Sequence, residues 1–157
     1  MIRHHGRIAC SSFDLSLVRL SVTILMFKIN RKSCTGCRIC EMICSFAHEG
    51  EIAPKRSRIR IESDWPGMEG IDVCVACRAK KCIAVCPHGA LSWGRLLLLD
   101  QEKCDLCLAC VEACPFGGIR LEPTNKRLLF CDTCRGEYQC VKWCPANAIV
   151  RAEGNGR

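Results

Sequence analysis

Short apolar runs punctuate this chain and alternate with polar, turn-forming stretches. Met26-Phe-Lys-Ile-Asn alternates apolar and polar positions with the period of a strand. So does Arg58-Ile-Arg-Ile. Leu96–Leu99 and Arg127–Phe130 are apolar runs of strand length. The segments 38–46, 79–85, 108–113 and 138–144 follow with short helical patterns. Strand, loop and short helix therefore recur, and this internal repeat organises the chain. Between the first two repeats, Gly50, Pro54 and the turn-rich Asp64-Trp-Pro-Gly mark an excursion. Residues 1–26 read differently. Phe13 to Ile29 is rich in Leu, Val and Ile, yet Asp14, Arg19 and Lys28 interrupt it, so neither a membrane span nor a secretory leader is expected there. It is expected to be an extension that is poorly ordered or derives from an upstream translation start.

Cysteine changes the picture. Of the seventeen cysteines, sixteen fall into four tetrads, one in each repeat: Cys34, Cys37, Cys40, Cys44; Cys74, Cys77, Cys82, Cys86; Cys104, Cys107, Cys110, Cys114; and Cys131, Cys134, Cys140, Cys144. Cys10 stands apart and is expected to be a free thiol. The first and third tetrads have the C-x2-C-x2-C-x3-C spacing of ferredoxin cluster ligands, in which three close cysteines wrap one cubane and the fourth reaches the neighbouring cluster. The second and fourth widen the gap before the third cysteine to four and five residues, then restore the final x3 spacing. Proline follows the last cysteine at Pro87, Pro115 and Pro145, where it turns the chain away, whereas Ser45 takes that place in the first run. Small residues inside the loops, Gly36, Ala76, Ala109 and Thr133, are expected to let backbone N–H groups approach sulphur.

This pattern disfavours the rival uses of cysteine. A disulfide scaffold does not require triplets at intervals of three. A structural zinc site needs only paired ligands and leaves the repeated fourth cysteine unexplained. His48 and His88 are expected to pack or hydrogen-bond near the clusters. The formal charge of +7 counts every cysteine as neutral. Four cubanes, each contributing about −2 with its thiolates, would bring the total to roughly −1. The basic excess thus compensates clusters, and a nucleic-acid partner is not expected. One tyrosine, three tryptophans and five phenylalanines make a thin apolar core, so the clusters also serve as staples.

Spacing leaves the pairing of the runs open: serial modules or a nested arrangement both fit. The stretch Cys34-Thr-Gly-Cys-Arg-Ile-Cys-Glu-Met-Ile-Cys-Ser-Phe-Ala-His-Glu-Gly, followed by Pro54-Lys-Arg-Ser-Arg-Ile, resembles the polyferredoxin subunits of tungsten aldehyde oxidoreductases and of tungsten-dependent benzoyl-CoA reductase. More broadly, Cys34 to Pro145 resembles the four-cluster subunits of molybdopterin oxidoreductases. The resemblance implies an α+β, duplicated dicluster ferredoxin-like fold. Residues 27–66 plus 122–152 would form an outer module, 67–121 an inserted one, and 153–157 a tail. It implies four [4Fe-4S] clusters: A on Cys34, Cys37, Cys40 and Cys144; B on Cys131, Cys134, Cys140 and Cys44; C on Cys74, Cys77, Cys82 and Cys114; D on Cys104, Cys107, Cys110 and Cys86.

The function it implies is a non-catalytic, cytoplasmic electron relay. A tungsten- or molybdenum-pterin catalytic subunit, expected to be an aldehyde oxidoreductase, would stand at one end. A ferredoxin or an FAD/NAD-binding subunit would stand at the other, with some tendency to self-associate and no membrane contact. Formate dehydrogenase, hydrogenase and benzoyl-CoA reductase subunits are the alternatives within this class. A structural iron–sulphur interaction module is the alternative outside it.

Overall fold

The computed structural model describes residues 26–63, 70–122 and 124–152. Cys10 and the N-terminal extension before Met26 lie outside the described residues, as does the tail 153–157. Eight short strands and four helices alternate: β1 (Phe27–Ile29), α1 (Ile39–Glu49), β2 (Ile59–Glu62), β3 (Gly70–Val73), α2 (Lys81–Ala84), β4 (Leu91–Trp93), β5 (Leu97–Leu99), α3 (Ala109–Glu112), β6 (Ile119–Glu122), β7 (Arg127–Phe130), α4 (Gln139–Lys142) and β8 (Ile149–Arg151). The strands pair into two-stranded sheets.

Helix lengths follow from the residue after each fourth cysteine. α2, α3 and α4 each stop after four residues, just before a Cys-Pro pair. α1 runs eleven residues to Glu49, past the Phe46 expected from the sequence, because Ser45 keeps its N–H and does not break the helix. The Ser45 hydroxyl bonds Met42 O at 2.9 Å and accepts from Ala53 N at 3.1 Å, which draws the returning chain onto the helix. Gly50 ends α1 at φ 74°, a left-handed cap that glycine adopts without steric cost.

The four sheets are antiparallel pairs: β1 with β8, β2 with β3, β4 with β5, and β6 with β7. β1 and β8 bring the two ends of the described chain together, Phe27 opposite Arg151 and Ile29 opposite Ile149. Strand pairing crosses both expected module limits. β2 and β3 flank the 66/67 limit, and β6 extends to Glu122, one residue past 121, because Glu122 pairs with Arg127 of β7. The core divides accordingly. Phe27, Ile59, Ile61, Ile71, Val73 and Ile149 form one buried group, drawn from β1, β2, β3 and β8. Leu91, Leu97, Ile119 and Leu128 form another, from β4 to β7. Full burial of such side chains contributes about 1.5–3 kcal/mol each.

Candidate metal centres

The same backbone device recurs in every cysteine run. The residue before the second cysteine is left-handed in all four: Gly36, Ala76, Leu106 and Thr133 have φ of 66°, 57°, 60° and 62°. The residue two before the third cysteine is left-handed as well: Arg38, Lys80, Leu108 and Tyr138, at 58°, 43°, 62° and 49°. Only one of these eight is glycine. A left-handed non-glycine residue costs roughly 1–2 kcal/mol, so the repeated strain marks loops held to a fixed wrap. The third-run counterpart of Gly36 is Leu106, a branched residue; Ala109, picked out for its small side chain, instead begins α3. The longer second and fourth loops put their extra residues between the two left-handed positions. In the fourth, Cys134 and Arg135 are themselves left-handed, at φ 50° and 57°.

The sixteen thiols are all free, and the loops bring cysteines of different runs together. Cys34, Cys37, Cys40 and Cys144 line one cavity, against Ile59 and Ile61 of β2. Cys86, Cys104, Cys107 and Cys110 line another. Burial pushes the Cys74 thiol up to about 11, with further contributions from Cys114, Cys82 and Cys77, its neighbours in a third group. Burial also pushes Cys140 up to about 12, aided by Cys44 and Cys134, and raises Cys131 far above the ordinary value with Cys140 and Cys44 beside it.

Neighbouring groups also feel each other. Cys40 raises Cys140, Cys74 raises Cys131, and Cys82 raises Cys110, whose pKa reaches about 11 chiefly through burial. Cys40 and Cys140, Cys74 and Cys131, and Cys82 and Cys110 therefore lie close enough to act on one another. Cys37 and Cys107 are the exposed thiols of the sixteen.

Backbone donors complete each group. Ala90, Gly118 and Ala148 each donate an N–H to the cysteine four residues earlier, Cys86, Cys114 and Cys144, at 3.3 Å. The Cys-Pro turn that aims them needs a left-handed residue at its fourth position, supplied by Gly89, Gly117 and Asn147. Although desolvation opposes it, N–H groups from Ala90, Leu91, His88 and Gly89 draw the Cys86 thiol below its ordinary value. Where α1 continues in place of that turn, Arg58 N donates to Cys44 Sγ at 3.2 Å. Thr133 N donates to Cys131 Sγ at 3.3 Å.

Two features here escaped the sequence. Gly118 lies so close to the end of β3 that a Cβ would sit 2.4 Å from Cys74 N and 2.5 Å from its Cα. That approach brings Cys114 to the Cys74 group. The second is a polar group around Cys134. His48 donates through Nδ1 to Cys44 O at 2.7 Å and through Nε2 to Asp132 at 2.9 Å, while Arg58 bonds the other Asp132 oxygen at 2.8 Å. Both ring nitrogens face oxygen acceptors, an arrangement that favours the doubly protonated ring, and Asp132 is the first cause holding its pKa up to about 10. Asp132 also accepts from Cys134 N at 3.0 Å, and His48, Asp132 and Cys134 offer ligand atoms within 4.8 Å of one another. His48 and Asp132 are already bonded here, so they brace the loop. His88 bonds Asp105 at 3.0 Å in a similar, exposed position.

The donor set suits an iron–sulphur core. Crowded, buried thiols whose pKa values are raised hold their protons until a cationic core replaces them. The N–H groups aimed at sulphur match the acceptors that such thiolates present. Among the described residues, no helix is long and apolar enough to cross a membrane.

Comparison with known proteins points the same way. Residues 96–145 match a family model for the 4Fe-4S dicluster domain, and 31–47 one for the 4Fe-4S binding domain. The chain is 40% identical over 119 residues to the polyferredoxin-like subunit of the aliphatic sulfonate oxidoreductase of Pyrococcus furiosus, covering 74% of this chain and 69% of the relative. It is 32% identical over 129 residues to YsaA, a candidate electron transport protein of Escherichia coli K12, covering 74% and 82%. It is 36% identical to the beta subunit of the NADH-dependent phenylglyoxylate dehydrogenase of Aromatoleum evansii, covering 74% of this chain but spanning only 27% of that subunit. Among solved structures, the BamBC active-site complex of benzoyl-CoA reductase with benzoyl-CoA matches at a TM-score of 0.47 and 24% identity, over 80% of this chain and 77% of that one.

Proposed function

The chain belongs to the 4Fe-4S polyferredoxin-like electron-transfer subunits of oxidoreductase complexes, and on that premise we propose that it is a four-cluster wire whose order is A, B, C, D. Cluster A would be held by Cys34, Cys37, Cys40 and Cys144, and B by Cys131, Cys134, Cys140 and Cys44. Cluster C would be held by Cys74, Cys77, Cys82 and Cys114, and D by Cys104, Cys107, Cys110 and Cys86. When bound, such clusters supply reversible one-electron storage at low potential. The protein's part is to hold sixteen thiolates in fixed geometry, direct N–H groups to their sulphurs and keep water from the middle of the row.

The observation that carries this reading is the set of sixteen cysteines in four tetrads, with Cys34, Cys37, Cys40 and Cys144 lining one cavity and Cys86, Cys104, Cys107 and Cys110 lining another. Cys37 and Cys107 would face the two partners. One partner would be a tungsten- or molybdenum-pterin subunit that performs the substrate chemistry, the other a ferredoxin or an FAD/NAD-binding subunit. This chain would contribute no catalytic residue. An aldehyde is the first candidate for the partner's substrate. The name of the Pyrococcus furiosus relative favours a second reading, an aliphatic sulfonate. Sixteen free thiols also suit a reducing, cytoplasmic setting.

Anaerobic redox titration of the purified holoprotein followed by EPR tests the relay. Reversible low-potential reduction of about four electrons per chain is expected. Clusters that cannot be cycled would sink it and favour a structural role. Co-purification of the native complex with metal analysis, tungsten or molybdenum being expected, tests the partner.

A further inference from the structure

A basic cleft opens beside the first thiol group. It has a volume of about 600 Å³, and Arg38, Lys55, Arg60 and Arg120 line it. The acidic residue in its lining is Glu41, which is 2% exposed and already bonded, accepting from Ile61 N at 2.8 Å. Arg60 meets Glu62 at the surface, and Arg38 lies 3.4 Å from Glu41. Arg120 makes its hydrogen bond to a neutral acceptor, Ser57 O. Burial pushes its guanidinium pKa down, and the Arg60 charge pushes it further. The lining therefore carries four cations and one carboxylate. Arg38 and Arg60 are paired with Glu41 and Glu62, and Asp72 lies opposite Arg60 and acts on Arg120. Among the described residues, Lys55 and Arg120 meet no carboxylate in an ion pair.

The position of the cleft gives this charge a use. β2 separates two sites: Ile59 and Ile61 face the cavity of Cys34, Cys37, Cys40 and Cys144, while Arg60 faces the cleft. Arg38 borders both, from its left-handed position between Cys37 and Cys40. The cleft is thus joined to that group through Arg38, the residue that directly follows the exposed Cys37 in the chain.

We propose that this cleft docks a carboxylate-rich segment of the electron-transfer partner, seating that partner against the A end of the wire. The proposal rests on the relay reading and adds which end takes an acidic partner. Steering by opposite charge raises the encounter rate and fixes orientation, the two needs of a transient electron donor or acceptor. The alternative use of the same cations, to offset cluster charge alone, predicts no specific anionic guest.

The test uses the anaerobically purified holoprotein and a fluorescein-labelled poly-L-glutamate of about 20 residues, followed by anisotropy. Binding is expected to weaken with added salt. It should fall about tenfold or more in a Lys55→Gln/Arg60→Gln variant, and about twofold or less in Lys81→Gln/Arg95→Gln, which removes equal charge outside the cleft. A carbodiimide should couple the peptide to Lys55, the primary amine of the lining. Equal loss in both variants, absent binding, or a shift in cluster potential with binding unchanged would each overturn the proposal. So would variant-sensitive binding of inorganic pyrophosphate without binding of polyglutamate, which would make the cleft a small-anion site. EPR titration of the same samples keeps the two readings apart. Reversible clusters without peptide binding remove the docking site and leave the wire, whereas irreducible clusters remove the wire.

Discussion

Substituting Gly118 by alanine tests the packing that brings Cys74 and Cys114 together. The added Cβ would lie 2.4 Å from Cys74 N, 2.5 Å from Cys74 Cα and 2.7 Å from Val73 C, all main-chain atoms that cannot rotate away. Restoring ordinary van der Waals contact requires the β3 end and the Gly118 backbone to separate by about 1 Å. Overpacking of this kind costs about 1–3 kcal/mol, and the upper end applies because backbone meets backbone. The same movement strains the 3.3 Å bond from Gly118 N to Cys114 Sγ and pulls Cys114 from the Cys74 group. One cubane of four should be lost, taking iron from about 16 to about 12 per chain and removing one EPR component. Gly89→Ala is the comparison. Gly89 sits at φ 58° with nothing within 4 Å of its added Cβ, so that variant bears about 1–2 kcal/mol of backbone strain and should keep all its iron. Full iron and an unaltered EPR spectrum in Gly118→Ala would refute the reasoning.

Substitutions at three further places probe other parts of the molecule. Cys144→Ala should abolish the same EPR component as Cys37→Ala, and Cys140→Ala the same one as Cys44→Ala; serial pairing would instead group Cys44 with the Cys74 run. Glu41→Ala leaves the buried Ile61 N–H without its acceptor and should cost about 1–3 kcal/mol by anaerobic denaturant titration, whereas Glu41→Gln keeps an accepting oxygen and should cost less. Desolvation opposes ionisation of Glu122, but hydrogen bonds from Asn125 N and Thr124 N, with Arg127 nearby, hold its carboxyl below the usual range. A depressed folded pKa gives stability that is present above the unfolded value of about 4.3 and is lost as pH falls through the folded one. Acid unfolding followed by far-UV circular dichroism should therefore show a smaller drop in stability below pH ~4.3 in Glu122→Gln than in the wild type.

The sequence made the repeat legible because its signals are local. Leading strands, cysteine spacing and Cys-Pro stops lie within a few residues of each other, and the structure finds strand, loop and helix in that order. The expected strand Arg127–Phe130 matches β7 at both ends. The expected helices of the last three runs are longer than the observed ones at both ends. A left-handed residue delays each start, and that conformation at Lys80, Leu108 or Tyr138 has no compositional mark. α1 outruns its expected end because serine, unlike proline, leaves an N–H to continue the helix. Contacts between distant segments were hidden for a different reason. Nothing near Gly118 names Cys74, nothing near Cys44 names Arg58 as its donor, and pairing of β2 with β3 requires knowing how two repeats lie in space. His48 was legible as a hydrogen-bonding residue but not its partner Asp132, 84 positions away.

The pairing of β1 with β8 sets a timetable for biosynthesis. With Cys144 beside Cys34, Cys37 and Cys40, the group whose cysteines leave the ribosome first is the last to receive its fourth ligand. Under the proposed pairing all eight ligands of C and D are translated by Cys114, although Leu128 of β7 still has to arrive to complete the cavity of the Cys104 group. A nascent chain at that stage would hold Cys34, Cys37, Cys40 and Cys44 still waiting for ligands from the last run. On that pairing the A end, where the partner is proposed to dock, would be completed only once Cys144 is made, and a chain cut short before it would lack that terminal contact.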